Sequence, residues 1–271
     1  MTTGQVIADR TGLARSVGYV ESEGERIYYE VTGAGRPVVL CHGLGGNHAI
    51  WWRQIEALAD DFQVITWDLR GFGNSTLTSG EVGPVAGRRD LLALLDHLGL
   101  DRATVLGQSL GGYVALGFAL EHGDRVEGLI LSTTLAGADP SYVERLRTAE
   151  PARNRTNRRE HPVLSEEFCR AAPDLGVLYN QISSFGARPS PLAVLAAMVA
   201  DTFPLQTLST LAARTLVIMA TDDPHCPPAA LAPAVAAIPD AVMVELSGGH
   251  SAYYENPAAW NSAVLDFLRV G

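Results

Sequence analysis

Six short apolar runs constrain this chain most. Residues 37–41, 63–67, 103–106, 126–132, 215–220 and 241–246 are each of strand length and almost unbroken by charge. A strand that is apolar on successive residues has two faces to bury, which is the pattern of a parallel sheet covered on both sides. Helix-patterned stretches accompany the runs at 49–58, 84–98, 110–120, 228–238 and 257–270. In the second of these, Leu91, Leu94, Leu95 and Leu98 recur at helical spacing and Gly99 stops the pattern. The alternation predicts an α/β fold, with a mostly parallel twisted sheet and helices on both faces. From 136 to 207 the rhythm fails, and helical patches at 140–148, 165–172 and 191–201 stand in its place. We therefore expect 1–135 and 208–271 to form the core, with 136–207 as an inserted helical cap. Upstream, 16–21 and 26–31 alternate around Ser22-Glu23-Gly24-Glu25, which predicts an antiparallel hairpin behind a loose arm at 1–16.

Composition narrows the chemistry. At 271 residues, 47% hydrophobic and 18% charged, the chain suits one large α/β domain carrying an insertion. A formal net charge of −10 repels nucleic acid and anionic membranes, so neither is expected as a partner. All 20 basic residues are Arg. Without lysine there is neither a Schiff-base amine nor a P-loop ammonium, which excludes most pyridoxal-phosphate and P-loop chemistry. Cys41, Cys169 and Cys226 are odd in number and lack metal-site spacing, a usage that fits a reducing compartment. No stretch reads as a signal peptide or a membrane span, so a cytoplasmic protein is expected.

Between the run at 103–106 and the helix at 110–120 lies Gly107-Gln108-Ser109-Leu110-Gly111. A strand turning directly into a helix strains its middle residue and crowds the positions two before and two after it, which must then be Gly. The turn presents the Ser109 hydroxyl at a helix N-terminus, where backbone N–H groups and the helix dipole favour negative charge. A serine hydroxyl is a weak nucleophile at neutral pH and needs a base, itself oriented by an acid. Of the seven histidines, His97 and His122 sit at helix ends, and His161 lies in the polar part of the cap. His42, His48 and His225 occupy loops at strand ends, where they can line a pocket. His250 differs, because Ser247-Gly248-Gly249-His250 follows the last strand directly and its glycines allow close approach. For the acid, Asp222 and Asp223 both follow the run at 215–220. Sites in open α/β sheets form outside the carboxyl ends of the strands, and Ser109, the Asp pair and His250 all fall there. An oxyanion at Ser109 needs two fixed donors. The Leu110 N–H at the helix start supplies one, and the Leu44 N–H in the glycine-rich loop His42-Gly43-Leu44-Gly45-Gly46 is expected to supply the other.

These residues together resemble the α/β-hydrolase superfamily. The likeness rests on His42-Gly43-Leu44-Gly45, Asp68-Leu69-Arg70-Gly71-Phe72-Gly73-Asn74-Ser75, Gly107-Gln108-Ser109-Leu110-Gly111-Gly112, Asp223 followed by Pro227, and Gly249-His250. The order Ser, Asp, His along the chain is that of the family. Its usual Gly-x-x-Asp-x-x-x-Pro motif corresponds to Ala220 through Pro227, with Ala for the Gly, and this selects Asp223 over Asp222. Some members carry the acid after the preceding strand, where Asp139 is the rival. The resemblance implies a Ser109–His250–Asp223 triad, structural roles for Asp68 and Arg70, and no metal or organic cofactor. With Ser at the elbow the chain does not resemble dehalogenases or epoxide hydrolases, which use Asp there. Chain length, cap size and the tail Leu265-Asp266-Phe267-Leu268 are most similar to small-molecule esterases and enol-lactonases. The expected substrate is a small apolar or aromatic-derived ester or lactone. The same scaffold carries C–C bond hydrolases of meta-cleavage-type dicarbonyl products, cofactor-free oxygenases or lyases, and ligand sensors; these are the alternatives.

Other features read as packing or solvated surface. One of Trp51 and Trp52 is expected in the core with its N–H satisfied, leaving the other open to a substrate. Arg153, Arg155, Arg158 and Arg159 make a basic run of the kind that usually faces solvent. Leu175, Leu178, Tyr179, Phe185, Met198 and Phe203 offer an apolar lid, most of it holding the cap together.

Overall fold

The computed structural model describes residues 5–8, 14–134 and 160–270. Its strands are β1 (Gln5–Ala8), β2 (Ala14–Ser22), β3 (Glu25–Thr32), β4 (Arg36–Cys41), β5 (Phe62–Trp67), β6 (Ala103–Gln108), β7 (Val126–Ser132), β8 (Arg214–Ala220) and β9 (Val242–Leu246). They form one sheet in the order β1-β2-β3-β5-β4-β6-β7-β8-β9. From β5 to β9 every pairing is parallel, while β1, β2, β3 and β5 pair antiparallel in turn.

The hairpin closes where Glu23 (φ 49) and Gly24 (φ 82) both take positive φ, the two-residue turn that matches strand twist. The arm at 1–16 departs from expectation. Gln5–Ala8 pairs with Ala14–Val17 and forms the outermost strand. Four residues are too few for an alternating pattern to register, and what they satisfy is the free edge of β2.

Helices α1 (Trp52–Leu58), α2 (Pro84–His97), α3 (Leu110–Glu121), α4 (Glu166–Ala171), α5 (Pro173–Ser183), α6 (Pro191–Ala200), α7 (Leu205–Leu208), α8 (Pro228–Ala237), α9 (Ala252–Glu255) and α10 (Pro257–Arg269) complete the described chain. The stretch expected as a helix from 49 begins with a 3₁₀ turn, His48–Trp51, capped by the Asn47 side chain. Between β7 and β8 the expected patches at 165–172 and 191–201 correspond to α4 and α6, whereas 140–148 lies outside the described residues. The sequence pattern did not reveal α5, because its buried face is Gly176, Tyr179 and Ser183 and not a row of aliphatic side chains.

Strand residues alternate between two apolar layers. Val39, Ile65, Val105, Leu129 and Val217 pack with Leu91, Leu94, Val114, Phe118 and Leu231 of α2, α3 and α8. Their neighbours Leu40, Val64, Leu106, Ile130 and Ile218 pack with Leu58, Trp260, Val264 and Phe267 of α1 and α10. Both faces are thus covered, and the strand ends remain as the place where loops can converge. Two buried forks fasten the rim. Arg70 grips Asp90 at 2.6 and 3.0 Å, and Arg88 of α2 grips Asp201, just beyond α6, at 2.6 and 2.9 Å. No helix of the described residues is long and apolar enough to cross a membrane.

Glu25 locks the hairpin to the loop after β5. Its buried carboxylate accepts from the Thr76 hydroxyl (2.6 Å), the Thr78 N–H (2.6 Å) and hydroxyl (2.9 Å), and the Ser79 N–H (2.7 Å). Burial pushes this carboxyl up, but the hydrogen bonds outweigh it and hold its pKa at about 2. A depressed carboxylate stabilises the fold above its unfolded pKa and loses that contribution as pH falls through the folded value. Glu25→Gln is therefore expected to cost about 2 kcal/mol at neutral pH. The gap in urea midpoint should close as pH drops from about 4.5 towards 2; a gap that stays constant over that window refutes the assignment.

Candidate active site

The loop between β6 and α3 is built around Ser109, whose backbone sits at φ 52, ψ −116. A non-glycine residue held there stores strain of about 1–3 kcal/mol. The neighbours explain why nothing relaxes it. A Cβ on Gly107 would meet the Gly111 carbonyl, and one on Gly111 would meet the carbonyl of Cys41 at the end of β4. The turn is pinned from the far side as well: Ser109 N–H donates to Ser132 O (3.1 Å), and the Thr134 hydroxyl donates to Ser109 O (2.7 Å).

Beyond β9, the loop carrying His250 returns over this turn. His250 Nδ1 lies 2.9 Å from Asp223 Oδ2, with both side chains buried. An ionised carboxylate only accepts, so Nδ1 carries the proton and a neutral ring keeps its lone pair on Nε2. The other Asp223 oxygen accepts from the His225 (2.8 Å) and Cys226 (2.9 Å) N–H groups. Burial pushes the Asp223 carboxyl up, but the His250 ring and these two amides hold it below its ordinary value. Asp222 is exposed and hydrogen-bonds Thr221 instead. Asp139 lies outside the described residues.

Three partners of the His250 loop were invisible in the sequence. The Gln108 amide (3.1 Å) and the Thr133 hydroxyl (2.9 Å) both donate to the His250 carbonyl. The Glu255 carboxylate accepts the Gly249 N–H (3.0 Å), together with the N–H (3.0 Å) and hydroxyl (2.6 Å) of Ser165, which caps α4. The single local signal was the position of Gln108 inside the glycine-flanked turn.

Ser109 and His250 line one cleft with Gly43, Leu44, Tyr179 and Tyr253. Among the described residues neither the Leu44 nor the Leu110 N–H has a backbone acceptor. The loop that holds Leu44 is fixed by His42. His42 Nε2 accepts the Leu69 N–H (3.0 Å), so Nδ1 donates to Gly43 O (2.8 Å). Burial keeps that imidazole pKa below its usual value, so His42 stays neutral and acts as a post. His48 is spent on Asp68, 2.8 Å away, and His225 packs edge-on against His250 at 5.0 Å between ring centres. Metal-type ligand atoms of Asp223, Cys226 and His250 lie within 4.8 Å of one another; Asp223 and His250 are already bonded to each other.

Of the paired tryptophans, Trp51 is buried on Tyr253 (4.6 Å between ring centres) and Trp52 is exposed. The expected hydrogen bond is missing: the buried Trp51 Nε1–H has no acceptor among the described residues. The indole packs between the rings of Tyr253 and Trp260. Of the lid candidates, Met198 is core, Leu178 and Phe185 are exposed, and Tyr179 faces the cleft. The arginines at 153, 155, 158 and 159 lie outside the described residues.

Residues 36–157 match the family model described as alpha/beta hydrolase fold, and 198–271 match one described as TAP-like protein. A putative carbamate hydrolase, RutD, from Caulobacter sp. (strain K31) is 30% identical over 257 residues, 89% of this chain and 95% of the relative. Among solved structures, a thermophilic esterase from Thermogutta terrifontis superposes with a TM-score of 0.80 at 30% identity, covering 93% of this chain and 98% of the other. The enol-lactonase from Burkholderia xenovorans LB400 gives a TM-score of 0.78 at 25% identity, covering 93% and 100%. The chain belongs to the α/β-hydrolase family. It is a hydrolase.

If Ser109 holds strain for the sake of its hydroxyl, removing its Cβ releases that strain. Ser109→Gly is expected to be about 1 kcal/mol more stable than Ser109→Ala in urea unfolding. Equal stabilities would show that the turn is unstrained.

Proposed function

We propose that the protein hydrolyses a small-molecule carboxylic ester or lactone through an acyl-enzyme on Ser109. The observation that carries this reading is the buried 2.9 Å His250–Asp223 pair, whose His250 lines the same cleft as the strained, half-buried serine. The printed activities of the similar proteins, an esterase, an enol-lactonase and a putative carbamate hydrolase, support attack on a carbonyl carbon bearing a heteroatom leaving group.

In the first step His250 Nε2 takes the Ser109 proton as Oγ attacks the carbonyl carbon. Charge develops on the carbonyl oxygen, where the Leu44 and Leu110 N–H groups receive it. Asp223 holds the ring in the tautomer that leaves Nε2 free and stabilises the imidazolium. The protonated ring then gives its proton to the departing alkoxide, and the acyl group stays on Oγ. Water, deprotonated by the same nitrogen, attacks the acyl-enzyme, the Ser109 oxygen leaves with the proton, and the carboxylic acid is released. Val163 and Tyr179, from the described part of the segment expected as a cap, line the cleft and support that reading of the segment.

Hydrolysis of p-nitrophenyl acetate tests the assignment. Ser109→Ala should lower kcat about 10⁴-fold or more, and Asp223→Asn about 10⁴-fold through the wrong tautomer. A folded Ser109→Ala enzyme that keeps wild-type turnover overturns the acyl-enzyme. Oxygen consumption on a heterocyclic enol that survives the same substitution would place the protein with the oxygenases.

A further inference from the structure

We propose that Tyr179, Ser251 and Tyr253 form a hydroxyl subsite that receives an uncharged O–H or N–H group of the acyl portion, beside the carbon that Ser109 attacks. This rests on the ester or lactone reading above and narrows its substrate class. The three side chains come from α5, from the residue after His250 and from α9, and all three line the cleft that holds Ser109. Tyr179 Oη lies 3.0 Å from Ser251 Oγ and 3.4 Å from Tyr253 Oη, and Tyr253 also hydrogen-bonds Ser251. Each residue is at least nine-tenths buried.

Three hydroxyls that all touch have three protons to share. A closed ring uses all three internally and leaves a lone pair on each oxygen facing outward. Such a surface accepts a proton donor from a ligand. Burial raises both tyrosine pKa values, so the cluster stays neutral in ordinary buffers. Among the described lining residues only His250 can carry positive charge, and Asp223 already faces it. A carboxylate entering here would lose its hydration with no cation among the described lining residues to replace it. The phenol of Tyr179 is held in place by the His161 ring at 4.6 Å and, edge-on, by Tyr254 at 4.9 Å. A merely apolar acyl pocket would be served by Phe at these positions. Three desolvated hydroxyls instead favour a ligand that uses their free lone pairs.

Ethyl lactate and ethyl propionate differ by one hydroxyl and give the test, with monoethyl succinate as the charged comparison. Turnover by the intact protein is followed by acid release. The ratio of kcat/KM for lactate over propionate should fall about tenfold in Tyr179→Phe and in Tyr253→Phe, made separately. Normalising to propionate removes any general loss of activity, and the second variant keeps the test alive if the first misfolds. An unchanged ratio in folded variants overturns the subsite while leaving the ester reading in place. Preference for the succinate half-ester over lactate also overturns it. Failure of wild type on all three esters, and on p-nitrophenyl acetate, instead removes the parent reading and the subsite with it.

Discussion

The buried hydrogen bond between His250 Nδ1 and Asp223 Oδ2 joins the loops that leave β9 and β8, and the geometry of the cleft follows from it. These two strands are parallel neighbours, so their carboxyl ends point the same way and their loops emerge side by side. Thr221 N–H donates to Leu246 O and Asp222 N–H to Gly248 O, which extends the pairing past the strand ends before the side chains meet. A charged carboxylate buried on this rim needs its hydrogen bonds filled. The His225 and Cys226 amides and the imidazole fill them, and the ring is held to one tautomer as a result.

Close packing of backbone against backbone fixes the turn at Ser109 by a different force. Gly111 of α3 lies against the end of β4, and Gly107 lies against Gly111. Neither contact is attractive in itself; both are consequences of pressing a helix start into the crevice between strands. The apolar layer beneath supplies the pressure, since Val114 and Phe118 of α3 are fully buried against the sheet. The strain at Ser109 is thus offset by core burial elsewhere, which stabilises by roughly 25 cal/mol per Å² of apolar area. A strained serine and a relaxed core are one arrangement.

Much of this was legible before any coordinates. The apolar runs correspond to β4–β9, and the glycines around Ser109 marked the strand-to-helix turn, because both are local patterns whose cause lies within a few residues. The pairing of His250 with Asp223 could be approached only through strand ends and resemblance. Of the partners that hold the His250 loop, only Gln108 stood at a marked position, and nothing local named its acceptor. Gln108 and His250 are 142 positions apart, and a hydrogen bond from a side-chain amide to a distant carbonyl leaves no periodicity behind. Strand β1 and helix α5 escaped for the opposite reason. Their local signals were weak, and tertiary contacts decide their conformation.

Glu255 connects the helices inserted after β7 to the His250 loop. Its carboxylate takes N–H groups from Gly249 and from Ser165, so one side chain sets both the histidine loop and the start of α4. Ser251 N–H, next to His250, donates to Val163 O two residues before that cap. The inserted segment therefore reaches the His250 loop on both sides of the ring, directly at Ser251 and through the Glu255 carboxylate at Gly249. A displacement of α4 cannot leave those bonds intact unless the loop follows it. Because Tyr179 of α5 meets Ser251 and Tyr253 in the same cleft, the segment that supplies a wall of the pocket also bears on the imidazole. The wall at Tyr179 and the position of the His250 ring are mechanically linked.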